Sequence, residues 1–446
     1  MEPRAAADYV LSLAHEYREK EVDLVLDRSE SLSVRAFKGR IERVEQETEQ
    51  GLGIRVVKQG RTGIAYTERL EPAPLERAFA AARENAELQD PTEVVVPPWP
   101  ESVPDPSGLG LFNPALESLN VEDLAQAALE AERQALSGDP RAKTVSAVGA
   151  FRGNSEHRLV SLSGAEHVRR ENSAGALCQV LLEEGERRKS GSEMWLRRHW
   201  DPAQAAGVGA QALSRAQGLF GAMPISGGLL PVVLDEYCAP QLLAIYFGAF
   251  SAEAAQKSQS RLKGRLGEQI AIDGLSLLDD PHRSGARGSR YLDDEGVLTK
   301  PMPLIENGRF ANFLYHVESA RKEGRNSTGH AVRAYEGSVS TGWHSIVMPT
   351  GTHSLDRLTA IPAKCLLVTE LEGAAGCNGL SGDISIGVQG FWVEQGRRVH
   401  PVDNLTIAGN YFDLLKSIRA VGDRYQPNLT RHFIPALLVE GLAVSS

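Results

Sequence analysis

Cysteine is scarce in this chain: four residues in 446, namely Cys178, Cys238, Cys365 and Cys377. They are widely scattered and form no CxxC pair, which excludes a disulfide framework and the common thiolate zinc modules. Reduced, mostly buried thiols in a cytoplasmic protein are the expectation. Long apolar runs are missing as well. The longest, LLAIYFGAF at 242–250, is about half of the ~20 residues that a membrane-spanning helix needs. The first residues, MEPRAAADYVLSLAHEYREKE, lack the basic start and apolar run of a secretory signal. Positive charge is in deficit, 48 Lys and Arg against 58 Asp and Glu, for a net charge of −10. Such a surface repels phosphate backbones on average. Neither a membrane nor a nucleic acid is expected as a partner.

What is present is an ordinary globular composition, 42% hydrophobic and 24% charged, on a chain too long for one core. The expected fold class is α+β, with two domains dominated by antiparallel sheet and flanking helices. The N-terminal domain covers 1–222. It opens with an amphipathic helix whose apolar face carries Val10, Leu11, Leu13, Ala14 and Tyr17. Strands at 22–28, 31–37 and 40–46 follow, then a hairpin over 51–68 turned at Gly60 and a helix over 74–89. Seven prolines in 91–114 mark an extended connector. Asn120 stands at the N-cap of the next helix. Strands fill 144–200, with a turn at Ser163-Gly164, and Pro202 opens a helix over 201–220. The Gly-rich step ISGGLLP (225–231) leads to a C-terminal domain at 229–446. Strands dominate it apart from helices over 239–250 and 410–422. Asn307-Gly308 marks a tight hairpin, because both residues tolerate positive φ.

Motifs for catalysis are hard to find. A zinc hydrolase presents two His one helical turn apart beside a Glu that activates water. His15-Glu16 opens such a pattern, but Glu19 and Lys20 occupy the positions of the second His. His344 and His353 have a loop spacing with no carboxylate between them. His157 and His167 straddle a predicted hairpin without further ligands. GxSxG is absent, GxGxxG follows no strand, and GLGI at 51–54 is most simply a strand entry. No catalytic or metal-binding set is therefore assigned. Five carboxylates, Asp279, Asp280, Asp293, Asp294 and Glu295, could take a hard cation, with Asp293 and Glu295 as its core. Turns in which Asp caps its own backbone account for the same residues. Between 309 and 333, Arg309, Arg321, Lys322, Arg325 and Arg333 outweigh Glu318 and Glu323. That run is either a solvated helix face or a receiver for an acidic peptide.

An ordered set of landmarks occupies the C-terminal half: FSAEAAQKSQSRLKGRLGEQIA (250–271), LSLLDDP (275–281), DDEGVLTK (293–300), LIENGRFANFLYHVESARKEGRNSTG (304–329), TELEG (369–373), GDISIGVQGFWVEQG (382–396), PVDNLTIAGN (401–410) and IRAVGD (418–423). Together these resemble the TldD/PmbA family, on its TldE (PmbA) side, over about 230–423. The N-terminal half follows the family's helix-and-hairpin layout only loosely. The resemblance implies a heterodimer in which a TldD-type subunit holds zinc through a HExxxH helix and a cysteine near its C-terminus. It also implies unfolded or modified peptides, or the leader segments of peptide precursors, as substrates. Here no His lies between His199 and His282, and no Cys follows Cys377. The family's ligands are thus missing one by one, and zinc is expected in the TldD-type partner and not in this chain. A homodimeric peptide-binding or regulatory protein is the alternative. The family's older association with DNA gyrase finds no support in charge or motif. Gly382, Asp383 and Ser385 are the expected peptide contacts, on the premise that the strand at 383–390 lends an edge to an extended peptide.

Overall fold

The structure is a computed structural model and describes residues 1–445. It is a mixed α+β protein built mainly from antiparallel sheets.

Helix α1 (Pro3–Glu16) precedes three strands, β1 (Val22–Phe37), β2 (Arg40–Lys58) and β3 (Arg61–Thr67), and helix α2 (Pro72–Leu88). Helix α3 (Val121–Ser137) is followed by β4 (Ala142–Ser161), β5 (Glu166–Glu184), β6 (Arg187–Arg197) and helix α4 (Pro202–Gly218). The six strands form one sheet in the order β3-β2-β1-β4-β5-β6, antiparallel at every step. The separate strands expected at 22–28 and 31–37 are one 16-residue strand. Likewise, 40–46 and 51–58 join in β2. Ser29 and Glu30 look like a break in sequence, yet each keeps its register partner on both neighbouring strands, Glu49 and Thr48 on β2 and Ser155 and Asn154 on β4.

Strand alternation explains the packing on this sheet. Leu24 and Leu26 point to one face and pack with Val10, Leu52, Ile54 and Phe79 beneath α1 and α2. Farther along, Val34, Val148, Ala176 and Val180 pack beneath α3 and α4. Asn120 caps α3 as expected, in a reciprocal capping box with Asp123. The opposite face carries Asp23, Val25 and Asp27, and Val25 packs with Leu159, Leu292 and Tyr335 from the C-terminal half. Gly51 and Gly53 allow that approach: a Cβ on Gly53 would stand 2.0 Å from the Tyr335 carbonyl oxygen. The glycines of GLGI are therefore required by a neighbouring backbone.

The C-terminal half opens with strand β7 (Gly228–Leu234) and helix α5 (Cys238–Ala244). β7 pairs in parallel with Lys364–Glu372 and antiparallel with Leu437–Ser445. Asp383–Glu394 and Arg397–Asn410 extend that sheet, and Arg397–Asn410 also pairs with Leu437–Ser445. Five strands thereby close into a ring. One face buries Leu234, Leu366, Ile386, Ile407 and Val439 with Leu242 and Tyr246. The other buries Val233, Leu367 and Leu438 against Leu358. Asn307 and Gly308 turn their hairpin with φ of 49° and 81°. Two expected helices are shorter than the pattern suggested. Residues 239–250 split into α5 and a 3-10 turn, Phe247–Phe250, and the helix from 410 stops at Ser417, where Ile418–Val421 becomes a strand paired with Leu437–Ser445. Among the described residues, no helix is long and apolar enough to cross a membrane.

Candidate functional site

The acidic segment 293–295 lies buried against the charged face of the N-terminal sheet. Arg55 sits directly across from Asp23 in the β1–β2 register and is fully buried. Its Nε donates to Asp23 Oδ1 at 3.1 Å and its Nη1 to Glu295 Oε1 at 2.6 Å. Arg333 Nη1 reaches the same Asp23 at 2.6 Å. Glu295 also accepts the Val317 N–H at 2.8 Å. Burial would lower the Arg55 pKa, but Asp23 and Glu295 overcome it and hold the guanidinium charged. Beside this group, His157 bridges Asp27 (Nδ1 to Oδ1, 2.6 Å) and Asp294 (Nε2 to Oδ1, 3.2 Å). Burial acts to lower the His157 pKa, and the two carboxylates raise it on balance. Asp294 accepts further hydrogen bonds from Arg290 and from the Arg333 N–H.

Glu295 thus belongs to an ion-pair lattice joining the two halves of the chain. Its carboxylate oxygens are taken by Arg55 and Val317. Asp293 caps its own loop, accepting the N–H groups of Glu295, Val297 and Ala331, which is the turn role weighed for it. Burial and the nearby Glu295 push its carboxyl up to about 8 against those donors. In the basic run, Arg309, Arg321, Lys322 and Arg325 are exposed, whereas Arg333 is buried in the lattice and leaves the proposed surface.

Asp383 and Ser385 are exposed side chains next to Gly382, whose φ is +81°. The strand edge expected there is not free. Asp383 pairs with Asn410 on one side and bridges Asn378 on the other. Its carbonyl accepts from the Asn378 N–H at 2.9 Å and from the Tyr246 hydroxyl at 2.8 Å. The Ser385 carbonyl faces Cys377 Sγ at 3.7 Å. The loop after Glu372 folds back and takes these acceptors, so a peptide cannot add to this strand by main-chain pairing. Asp383 and Ser385 can meet a peptide only through their exposed side chains, and the Asp383 carboxylate already accepts from the Ser381 hydroxyl and from Asn410 Nδ2.

A cleft of about 670 Å³ opens between β5, β6 and the C-terminal half. Leu177, Met194, Tyr237 and Leu371 give it an apolar lining, and the Arg215–Glu193 pair (2.7 Å) crosses it. Cys238, Pro240 and Gln241 of α5 form part of its floor. The resemblance puts the metal-binding helix in the segment 238–250, and the residues present do not fit a zinc ion. No imidazole or carboxylate occurs there. Leu242, Leu243, Tyr246, Phe247 and Phe250 are packed into the core. Burial and Asp235 push the Cys238 thiol well above its ordinary value, so it is no thiolate at neutral pH. His432 at the cleft's far side accepts from Trp343 Nε1 at 3.1 Å and is pushed down to about 4, mainly by burial.

Three residues that could bind a metal do come together elsewhere. Asp279, His330 and His344 are fully buried, with one ligand atom of each within 4.8 Å of the others. Sequence spacing does not reveal them, because 279, 330 and 344 lie on three loop or strand ends; His353, the nearest His to His344 in sequence, bridges to Gly422 instead.

Comparison with known proteins places this geometry in a family. Residues 22–86 match PmbA/TldA metallopeptidase domain 1, residues 114–220 the PmbA/TldA metallopeptidase central domain, and residues 227–446 the PmbA/TldA metallopeptidase C-terminal domain. The chain is 28% identical to the metalloprotease PmbA of Escherichia coli O157:H7 over 90% of its own length and 87% of that protein. A PmbA homologue of Haemophilus influenzae is also 28% identical, over 95% and 91% of the two chains. A proposed modulator of DNA gyrase from Thermotoga maritima superposes with a TM-score of 0.87 at 27% identity, covering 99% of each chain. TldE from Thermococcus kodakarensis gives the same TM-score at 23% identity over 99% and 100%, a likeness of fold.

Proposed function

Because the chain belongs to the PmbA/TldD family, on its PmbA/TldE branch, we propose that it is the non-catalytic subunit of a two-subunit zinc peptidase. The observation that carries this reading is the segment 238–250. Where the family's metal helix is expected, this chain has apolar side chains packed into the core and one protonated thiol. A zinc-activated water needs deprotonated ligands held in place, and this segment supplies none. The catalytic zinc then belongs to a TldD-type partner in the cytoplasm, and this chain contributes chamber wall and peptide contacts. The cleft beside Met194 and Leu371 is the seat proposed for an unfolded or precursor peptide, with Asp383 and Ser385 as side-chain contacts from the strand Asp383–Glu394.

The test is reconstitution. Each subunit is purified alone and offered unstructured peptides, then the two are mixed. Cleavage is expected only in the mixture, and light scattering should show a one-to-one complex. Cleavage by this chain alone overturns the reading. So does a partner that works equally well without it, or a homodimer that ignores the partner.

A further inference from the structure

Asp279, His330 and His344 pose a problem of charge that their own hydrogen bonds define. Asp279 ends the strand Leu277–Asp279 and accepts the N–H groups of His344 (2.9 Å) and Ser345 (2.9 Å), so it is acceptor only. His344 Nε2 lies 2.8 Å from the Gly329 carbonyl oxygen. A carbonyl cannot donate, so Nε2 carries the proton and Nδ1 presents a bare lone pair. That Nδ1 is buried and has no hydrogen-bond partner.

His330 is fixed by the same logic. Its Nδ1 lies 2.8 Å from Thr328 Oγ1. The Thr328 hydroxyl donates to the Tyr315 carbonyl at 3.1 Å and accepts the Tyr315 N–H at 2.8 Å. With its proton on the Tyr315 carbonyl, the hydroxyl accepts from His330 Nδ1–H, and the ring's one in-plane lone pair is on Nε2. His330 Nε2 is buried, lacks a hydrogen-bond partner and stands 3.2 Å from Asp279 Oδ2. The two rings lie 4.7 Å apart. Two imidazole lone pairs and a carboxylate therefore converge on one buried point. Uncompensated, such a juxtaposition is costly. A positive charge belongs there.

We propose that Asp279, His330 and His344 form a buried structural site for one divalent cation of the Zn²⁺ class. Two imidazoles and one carboxylate suit a borderline ion better than Mg²⁺ or Ca²⁺, which take oxygen ligands. The Gly329 carbonyl and Thr328 hydroxyl hold the remote ring nitrogens, the arrangement that orients metal-binding histidines. In a tetrahedral zinc site the ligand atoms stand about 3.4 Å apart, as follows from bonds of about 2.0–2.1 Å. His330 Nε2 and Asp279 Oδ2, 3.2 Å apart, already stand near that value, and all three ligand atoms lie within 4.8 Å of one another. Ser345 Oγ, buried and unpartnered on the residue whose N–H binds Asp279, is the neighbouring oxygen for a fourth position. The ligands are fully buried, so the ion enters during folding, reaches no substrate and has no part in hydrolysis. The site is independent of the reading given under the proposed function, because its metal would be present in a chain that cleaves nothing.

The experiment uses the full, tag-free chain. Protein from zinc-supplemented cells is dialysed against EDTA and its metal content measured; the chain is then unfolded in guanidinium and refolded with Zn²⁺, with Co²⁺ or with chelator. About one ion per chain should survive dialysis, and the Co²⁺ form should show the visible ligand-field bands of a histidine-bound ion. His330→Ala and His344→Ala should each retain less than a tenth of an equivalent. If these variants do not fold, the refolding arms on the natural chain decide alone. A chain that refolds to the same thermal midpoint with chelator and takes up neither ion overturns the proposal. Undiminished metal in both variants overturns it too, since the ion would be bound elsewhere.

Discussion

Removing Glu295 should unfasten the two halves of the chain. Arg55 and Arg333 face Asp23 and Glu295 in the lattice, two cations against two carboxylates. Glu295→Ala leaves one cation in excess at a buried site, which costs about 3–5 kcal/mol when a buried pair is broken. It also strands the Val317 N–H, worth about 1–3 kcal/mol. A combined loss of about 5 kcal/mol is the expectation. Unfolding entropy is about 2.1 cal/mol/K per residue, so for 446 residues melting as one unit the midpoint should drop by about 5 °C. Scanning calorimetry reads the drop, and salt between about 0.1 and 0.5 M should leave it unchanged because the pair is buried. The double variant Arg55→Met, Glu295→Leu restores balance, with Asp23 still paired to Arg333. It should recover at least half of the loss, since apolar replacement of a buried pair is often neutral. A single variant that melts within about 1 °C of the natural chain would refute the lattice as a clamp. So would a double variant as unstable as the sum of its parts.

Three further outcomes can be checked by denaturation. His157 has a raised pKa between Asp27 and Asp294, so its contribution is complete below about 6.5 and disappears as pH rises through the folded-state value. His167 (about 4) has the opposite sign, losing stability as pH falls below about 6.5. In midpoints measured from pH 5 to 9, His157→Gln should flatten only the alkaline limb. Gly53→Ala drives a Cβ against the Tyr335 carbonyl oxygen and should cost about 3 kcal/mol, whereas Gly248→Ala meets open space and should stay within about 0.5 kcal/mol. Asn120→Ala removes the α3 capping box and should cost about 1 kcal/mol in urea titration.

The legible parts of the fold were those set by neighbours in sequence. Asn120, Pro202 and Asn307-Gly308 each specify a cap or turn through their own backbone chemistry, and the structure has each where the pattern put it. Long-range pairing was less visible. Ser29 and Glu30 read as a break, yet partners from two flanking strands keep β1 continuous through them. The residues after Ser417 keep a helical pattern, but the strand Leu437–Ser445 captures Ile418–Val421. The same limit applies to the sites. A carboxylate such as Asp293 caps its own loop and can be read locally, whereas Glu295 answers to Arg55, 240 residues away. Asp23 and Asp27 alternate with Leu24 and Leu26, the pattern of a strand whose polar side faces solvent, so nothing local announced that the C-terminal half covers it. Asp279, His330 and His344 were equally hidden, because their convergence depends on the fold of three loops.

The closed five-stranded ring constrains when this protein can fold. Hairpins between neighbouring segments build most of the N-terminal sheet, so it can assemble as the chain leaves the ribosome. β7 cannot: its partners are Lys364–Glu372 and Leu437–Ser445, synthesised roughly 130 and 200 residues later. At a translation rate of about 5–20 residues per second, β7 waits on the order of ten seconds or more with apolar edges unpaired. Val232, Val233 and Leu234 are then the segment most in need of a chaperone during synthesis, and the last strand to emerge is the one that ends the wait.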